Sequence, residues 1–192
     1  LNNNFLANQL QFKGGTCAAL RGILNRFSID LDFDLPDKTQ KQQVREHCHQ
    51  LYTKLNLQIK DQSKHHLQFY LKYPSPSGER NTLKLEINDQ TSPHNTYEKI
   101  YLPEISMYCN AQTIDTMFAN KLFAAKARHD KNGSIAGRDF YDLHQFFLQG
   151  PPINQAVIEE RTNMSYQKYL KVLTQFINIH INQKLLNQTL NH

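Results

Sequence analysis

Residues 28–35 read SIDLDFDL, an unbroken alternation of apolar and polar side chains. A period of two is the signature of a β-strand with one buried face, so Ile29, Leu31, Phe33 and Leu35 are expected on one side and Asp30, Asp32 and Asp34 on the other. Aspartate is a poor strand residue, and three acids on one face repel one another. Such a strand is expected to hold a cation, and this limits the fold to one that brings the acid face to a ligand. Upstream, FKGGTCAAL places the pair Gly14-Gly15 ahead of Leu20, Ile23, Leu24 and Phe27 at helical spacing. This predicts a glycine turn, a helix capped by Thr16, and then the acidic strand.

The rest of the chain fills out a mixed architecture. Residues 10–12 suit a short strand before the turn, and residues 38–57, rich in Gln, Lys and His, suit an exposed amphipathic helix. HHLQFYLKYP and TLKLEIN flank the turn cluster 75–78 and predict a hairpin. Residues 93–103 read as irregular, with a short strand at 105–109. From Thr113 the period changes: Ile114, Met117, Phe118, Lys121, Leu122 and Ala125 recur at three- and four-residue steps. A break at 129–137 precedes the helical stretch RDFYDLHQFFLQG, stopped by Gly150 and Pro151-Pro152. The last forty residues are helical in pattern, with Tyr166, Leu170, Leu173, Ile177 and Ile181 as inner positions. The expected fold class is α/β (α+β), with a small mixed sheet in residues 1–110 and a helical half in residues 111–192.

Composition narrows the partners. The 192 residues carry 22 Lys and Arg against 17 Asp and Glu, a net charge of +5, which suits a nucleic-acid or nucleotide partner. Cys17, Cys48 and Cys109 are odd in number and far apart, arguing against a disulfide framework or a zinc ribbon and for a reducing compartment. No apolar run is long enough to span a bilayer, and LNNNFLANQL lacks the features of a signal peptide, so a cytoplasmic protein with no membrane partner is expected.

Metal-dependent nucleotidyl transfer gives the opening motif a physical purpose. Backbone N–H groups of a Gly-Gly turn at a helix N-terminus can cradle a triphosphate, and Thr16 can add a hydroxyl. Carboxylates two apart on a strand have Cα atoms roughly 6–7 Å apart, close enough for their side chains to converge on Mg²⁺. Two such ions, about 3.5–4 Å apart, would steady the attacking hydroxyl and the leaving pyrophosphate.

KGGT followed by RFSIDLDF, then KLFAAKAR and RDFYDL in that order, resembles the motif series of the AbiEii/AbiGii nucleotidyltransferase toxins, relatives of the polymerase-β type nucleotidyltransferases. The resemblance covers residues 12–150 and implies the nucleotidyltransferase fold. By this resemblance Asp30 and Asp32 are the metal-binding pair. Lys13, Gly14, Gly15 and Thr16 form the phosphate-binding turn, Lys121 neutralises triphosphate oxygens, and Asp142 is the late acid needed for activity. Arg128, Arg138 and Asp139 surround that acid, with Arg128 and Asp139 assigned to nucleotide binding. A third metal carboxylate is expected on a neighbouring strand, at Glu86 or the nearby Asp89, with Glu86 preferred. Members carry a helical segment before the turn, and only twelve residues precede Lys13 here. The implied activity is Mg²⁺-dependent transfer of an NMP from an NTP to an acceptor hydroxyl. The implied setting is a toxin–antitoxin or phage-defence system, with RNA, such as a tRNA 3′ end, as acceptor and a cognate antitoxin as partner.

Blander roles compete at several positions. Asp34 is expected at a solvated strand end with no catalytic role, Lys121 can simply snorkel from its helix, and Asp139 and Asp142 can serve as a charged helix N-terminus. His47 and His49 point about 200° apart on a helix and cannot share an ion. Cys17 is expected to be a small packing residue. Two other functions fit the same motifs: a non-catalytic nucleotide- or partner-binding module, and a nucleotidyltransferase acting on a small molecule.

Overall fold

A computed structural model describes residues 3–181. The chain divides into two compact units, one of residues 1–91 and 97–112, the other of residues 92–96 and 113–192.

The first unit is built on a seven-stranded mixed sheet. Its elements are α1 (Asn4–Gln9), β1 (Gln11–Lys13), α2 (Gly14–Leu20), β2 (Leu31–Asp34), α3 (Lys41–Lys54), β3 (Gln58–Gln62), β4 (Leu67–Lys72), β5 (Thr82–Asn88), β6 (Tyr97–Leu102) and β7 (Met107–Gln112). The strand order is β3-β4-β5-β2-β1-β7-β6. β2 lies antiparallel to β1 and parallel to β5, and the expected hairpin is β4 with β5. Alternation sorts the side chains as the sequence implies: Leu67, Phe69 and Leu71 of β4 and Ile87 of β5 join one cluster with Val44, Cys48 and Tyr52 of α3 and Leu6 of α1. Those three α3 residues fall at four-residue steps, one stripe of a helix. One face of the sheet is thus sealed by apolar packing, and the charged residues of β2 and β5 are left on the other.

Several elements differ from the sequence expectation. The first helix is short: α2 ends at Leu20, and Thr16 lies inside it rather than capping it. Ile23 and Leu24 are buried outside the helix, their amides both bonded to the Ala18 carbonyl, while Phe27 is 85% exposed. Helical spacing there reflects tertiary burial, not continued helix. β2 covers only four of the eight alternating residues. Asp34, expected at a solvated end, is 0% exposed. Residues 93–103, read as irregular, contain the strand β6, and the following strand runs to Gln112 rather than ending at Cys109. β3 was not expected at all, because every residue of it is exposed and no apolar alternation marks it.

The second unit contains α4 (Ile114–Asn132), α5 (Gly137–Gln149), α6 (Gln155–Thr162) and α7 (Tyr166–His180). α4 runs through His129 to Asn132, past the break expected at residue 129. α5 stops where Gly150 takes φ +63°, ahead of the two prolines. Phe118 and Phe146 stack at 5.0 Å between ring centroids inside this unit. On α7 the buried residues are Tyr169, Leu173 and Phe176, so the inner stripe centres one position away from the expected Leu170 and Ile177. The Tyr169 hydroxyl donates to the Leu122 carbonyl at 2.9 Å, which explains why a tyrosine takes the buried position. Among the described residues, no helix is long and apolar enough to cross a membrane.

Candidate active site

In the sheet unit, strand register places the charged residues. Lys13 of β1 pairs with Asp32 of β2, and Asp32 pairs with Glu86 of β5. Residues directly opposite share a face, so Asp32 stands between an ammonium and a second carboxylate. Asp89, the other candidate, instead pairs with Lys41 at 2.6 Å.

The turn explains why glycine precedes α2. Gly14 has φ +77°, and a Cβ there would sit 2.9 Å from the Asp32 Cβ and overlap its Oδ2. Only glycine lets the backbone pass that close to the carboxylate in this conformation. A Cβ on Gly15 would lie 2.8 Å from Arg26 Nη2 and 2.9 Å from Ser28 Oγ. The first turn of α2 is therefore walled by groups of the RFSIDLDF motif. Thr16 Oγ1 donates to the Asp30 carbonyl at 2.6 Å and lies 3.0 Å from Ser28 Oγ, tying the turn to the strand entry.

Each carboxylate has a different electrostatic setting. Burial pushes the Asp32 carboxyl above its ordinary range; the charges of Lys13 and Lys84 oppose this, and the negative charges of Glu86 and Asp30 add to it. For Glu86, burial also pushes upward, but the hydrogen bond and charge of Lys84 outweigh it and the net direction is down. Gln68 Nε2 donates to the same Glu86 oxygen at 3.2 Å. Asp30, just ahead of β2, has Arg80 Nη2 at 3.5 Å.

Asp34 is the hub that the sequence concealed. Lys13 Nζ donates to its Oδ1 at 2.6 Å, Gln112 Nε2 to its Oδ2 at 2.6 Å, and the Tyr97 hydroxyl to Oδ2 at 3.1 Å. Asp34 thereby fixes the lysine that borders Asp32. These three partners lie on β1, β6 and β7, and of the three Lys13 belongs to a recognisable motif.

In the helical unit, Lys121 and Arg128 lie two turns apart on α4. Lys121 Nζ sits 2.9 Å from Asp142 Oδ2 and 3.4 Å from Asp139 Oδ1, and Arg128 Nε is 3.3 Å from Asp139 Oδ2. Asp142 is fully buried, and Arg138 is exposed. Lys121 does not snorkel to solvent: it is held by the two acids of α5. Cys17 is buried, which pushes its thiol up to about 12, consistent with a packing residue. His47 stacks on Phe5 while His49 bonds Gln62.

Among the described residues, no three His, Cys, Asp or Glu side chains form a ready metal cluster. Magnesium does not require one, since it binds through one or two carboxylates plus substrate phosphates and water. An all-oxygen pair with Asp32 under-neutralised fits such an ion.

The family model for the nucleotidyl transferase AbiEii toxin of type IV toxin–antitoxin systems matches residues 1–190. The chain belongs to this family. Its members are nucleotidyltransferases, so this AbiEii-family toxin is an enzyme whose substrate is an NTP. Among solved structures, an antigenic nucleotidyltransferase-like protein from Paracoccidioides brasiliensis superposes with a TM-score of 0.60 at 16% identity, over 92% of this chain and 84% of that one. This likeness shows the nucleotidyltransferase fold. MenT4, a nucleotidyltransferase toxin from Mycobacterium tuberculosis H37Rv, matches with a TM-score of 0.48 at 23% identity, over 79% of this chain and 54% of that one. JHP933 from Helicobacter pylori matches at 0.46 and 20%, over 97% and 89%. No curated protein sequence matches the chain.

Proposed function

We propose that this toxin transfers a nucleoside monophosphate from an NTP to an RNA hydroxyl, with a tRNA 3′ end as acceptor and Mg²⁺ as the required ion. The acceptor oxygen forms a bond to the α-phosphorus, the bond from that phosphorus to the bridging oxygen breaks, and pyrophosphate leaves with the electron pair. The hydroxyl proton goes to water. The observation that carries this reading is the row Lys13, Asp32, Glu86 with the Gly14 backbone pressed against Asp32. A glycine turn beside a buried carboxylate with a raised proton affinity supports a triphosphate and its cation there.

Asp30 and Asp32 are the metal pair in this reading, with Glu86 as the third carboxylate. Magnesium, when bound, neutralises phosphate oxygens and favours the attacking alkoxide. Gly14, Gly15 and Thr16 receive the phosphates, and Lys13 supplies positive charge at the edge of that turn. Within the helical unit, Asp142 and Asp139 hold the Lys121 ammonium, and Arg128 steadies Asp139. The net charge of +5 supports an RNA acceptor. A cognate antitoxin restrains the enzyme in a cytoplasmic toxin–antitoxin system.

The test is incubation of the protein with each labelled NTP, Mg²⁺ and total bacterial RNA, beside Asp32→Ala and a chelator control. Label should enter RNA only with the intact protein and free Mg²⁺. Label confined to small molecules would replace the RNA acceptor with a small-molecule one, and transfer that survives chelation would remove the metal.

A further inference from the structure

The far edge of the sheet carries a feature that the chemistry above does not use. β6 and β7 pair so that Tyr101 lies opposite Tyr108 and Lys99 opposite Asn110. Residues two apart share a face, so Tyr97, Lys99 and Tyr101 of β6 and Tyr108, Asn110 and Gln112 of β7 project to one side. Tyr97 and Gln112 both reach Asp34, and Asp34 shares its face with Asp32. The tyrosines therefore stand on the carboxylate-bearing face.

They are also open to solvent. Tyr101 is 50% and Tyr108 65% exposed, their ring centroids 5.0 Å apart with planes tilted by 52°. Lys99 Nζ lies 5.3 Å from the Tyr108 ring centroid. Glu98, the acid of these two strands, points to the opposite face, where Arg21 holds it at 2.7 Å. The exposed end of the face thus offers two rings and a cation with no strand carboxylate beside them. Phe12 pairs with Ala111, which sets Lys13, and with it the Asp32 row, beside Gln112. Tyr108 is four residues back from Gln112 and two strands over from β2, or about 13 Å along the strands and about 10 Å across them.

We infer that Tyr101 and Tyr108, with Lys99, form a stacking platform for unpaired bases of a single-stranded RNA acceptor, a few nucleotides from its reacting 3′ hydroxyl. This rests on the RNA-acceptor reading above. Aromatic faces stack on any base, and a nearby cation serves the backbone phosphates. The excess positive charge of the chain and the shared face favour RNA over a protein laid along β6. An acceptor whose end lies at the carboxylates has this side of the sheet to run across.

The test uses the full chain and a short fluorescein-labelled single-stranded RNA, followed by anisotropy, with NTP affinity measured in parallel. Tyr108→Ala should weaken RNA binding about tenfold, and adding Tyr101→Ala should weaken it further. Tyr108→Phe should bind like the intact chain, because stacking needs the ring and not the hydroxyl. NTP affinity should hold in all three. If the intact chain binds and labels RNA and the double variant does so equally well, the platform is overturned and the RNA-acceptor reading stands; β6 is then left to a protein partner. If the phenylalanine variant loses as much as the alanine variant, stacking is overturned. If the intact chain neither binds nor labels RNA, the acceptor reading falls and takes the platform with it.

Discussion

In the sheet, Asp32 stands beside a second carboxylate with Lys13 as its facing cation; in the helical unit, the fully buried Asp142 has Lys121 at 2.9 Å. The first arrangement raises the proton affinity of its carboxyl, so the charged form costs the folded state something. The second matches two acids with two bases and holds α4 to α5. Charge that awaits a ligand and charge that builds structure are therefore distinguishable by whether the local balance is complete. Asp34 belongs to the second kind although it lies two residues from Asp32.

The sharpest way to break this contrast is Asp32→Asn. Transfer should fall on the order of a thousandfold, while the thermal midpoint should rise or stay level. The sign follows from the raised carboxyl: its stabilising contribution is present below the unfolded-state value and is lost as pH rises through the folded one. The intact chain should show that loss in a pH series of unfolding curves, and the asparagine variant should not. A fall in midpoint for this variant would place Asp32 with the structural acids. Asp142→Ala should do the opposite, destabilising by about 3 kcal/mol because Lys121 loses its nearest partner, which denaturant unfolding will measure. Unchanged stability there would contradict the complete-balance view.

Gly14→Ala sits between the two regimes. The added methyl meets the Asp32 side chain, so transfer should drop roughly a hundredfold through misplacement of the carboxylate, with the loss appearing in kcat more than in fold stability. Arg80→Ala is the smallest change. Its pair with Asp30 joins an exposed side chain to a half-buried one at 3.5 Å, so stability should move by less than about 1 kcal/mol, and a larger shift would show that Arg80 is part of the fold.

The sequence exposed β2 and the turn because the two periods, strand and glycine-led helix, meet within about twenty residues. It hid Asp34, whose partners are 21, 63 and 78 residues away, and local alternation assigns such a residue to solvent. It hid β3 because an entirely exposed strand leaves no apolar trace. It hid β6 because Pro93 and Pro103 framed it as loop. The overlong first helix has the same cause as the Asp34 error: Ile23 and Leu24 keep helical spacing while being buried by other means. Lys121, Asp139 and Asp142 were legible as members of two motifs, but their contact with each other was not.

The convergence of Lys13, Tyr97 and Gln112 on one carboxylate has a consequence for how the enzyme is made. All the proposed metal ligands have been synthesised by residue 86, yet the Tyr97 and Gln112 donors to Asp34 arrive only with β6 and β7, at the end of the sheet unit's discontinuous chain. A nascent chain emerging from the ribosome thus carries its acids before it can seat them. A toxin assembled in this order stays unfinished until its last sheet strand has docked.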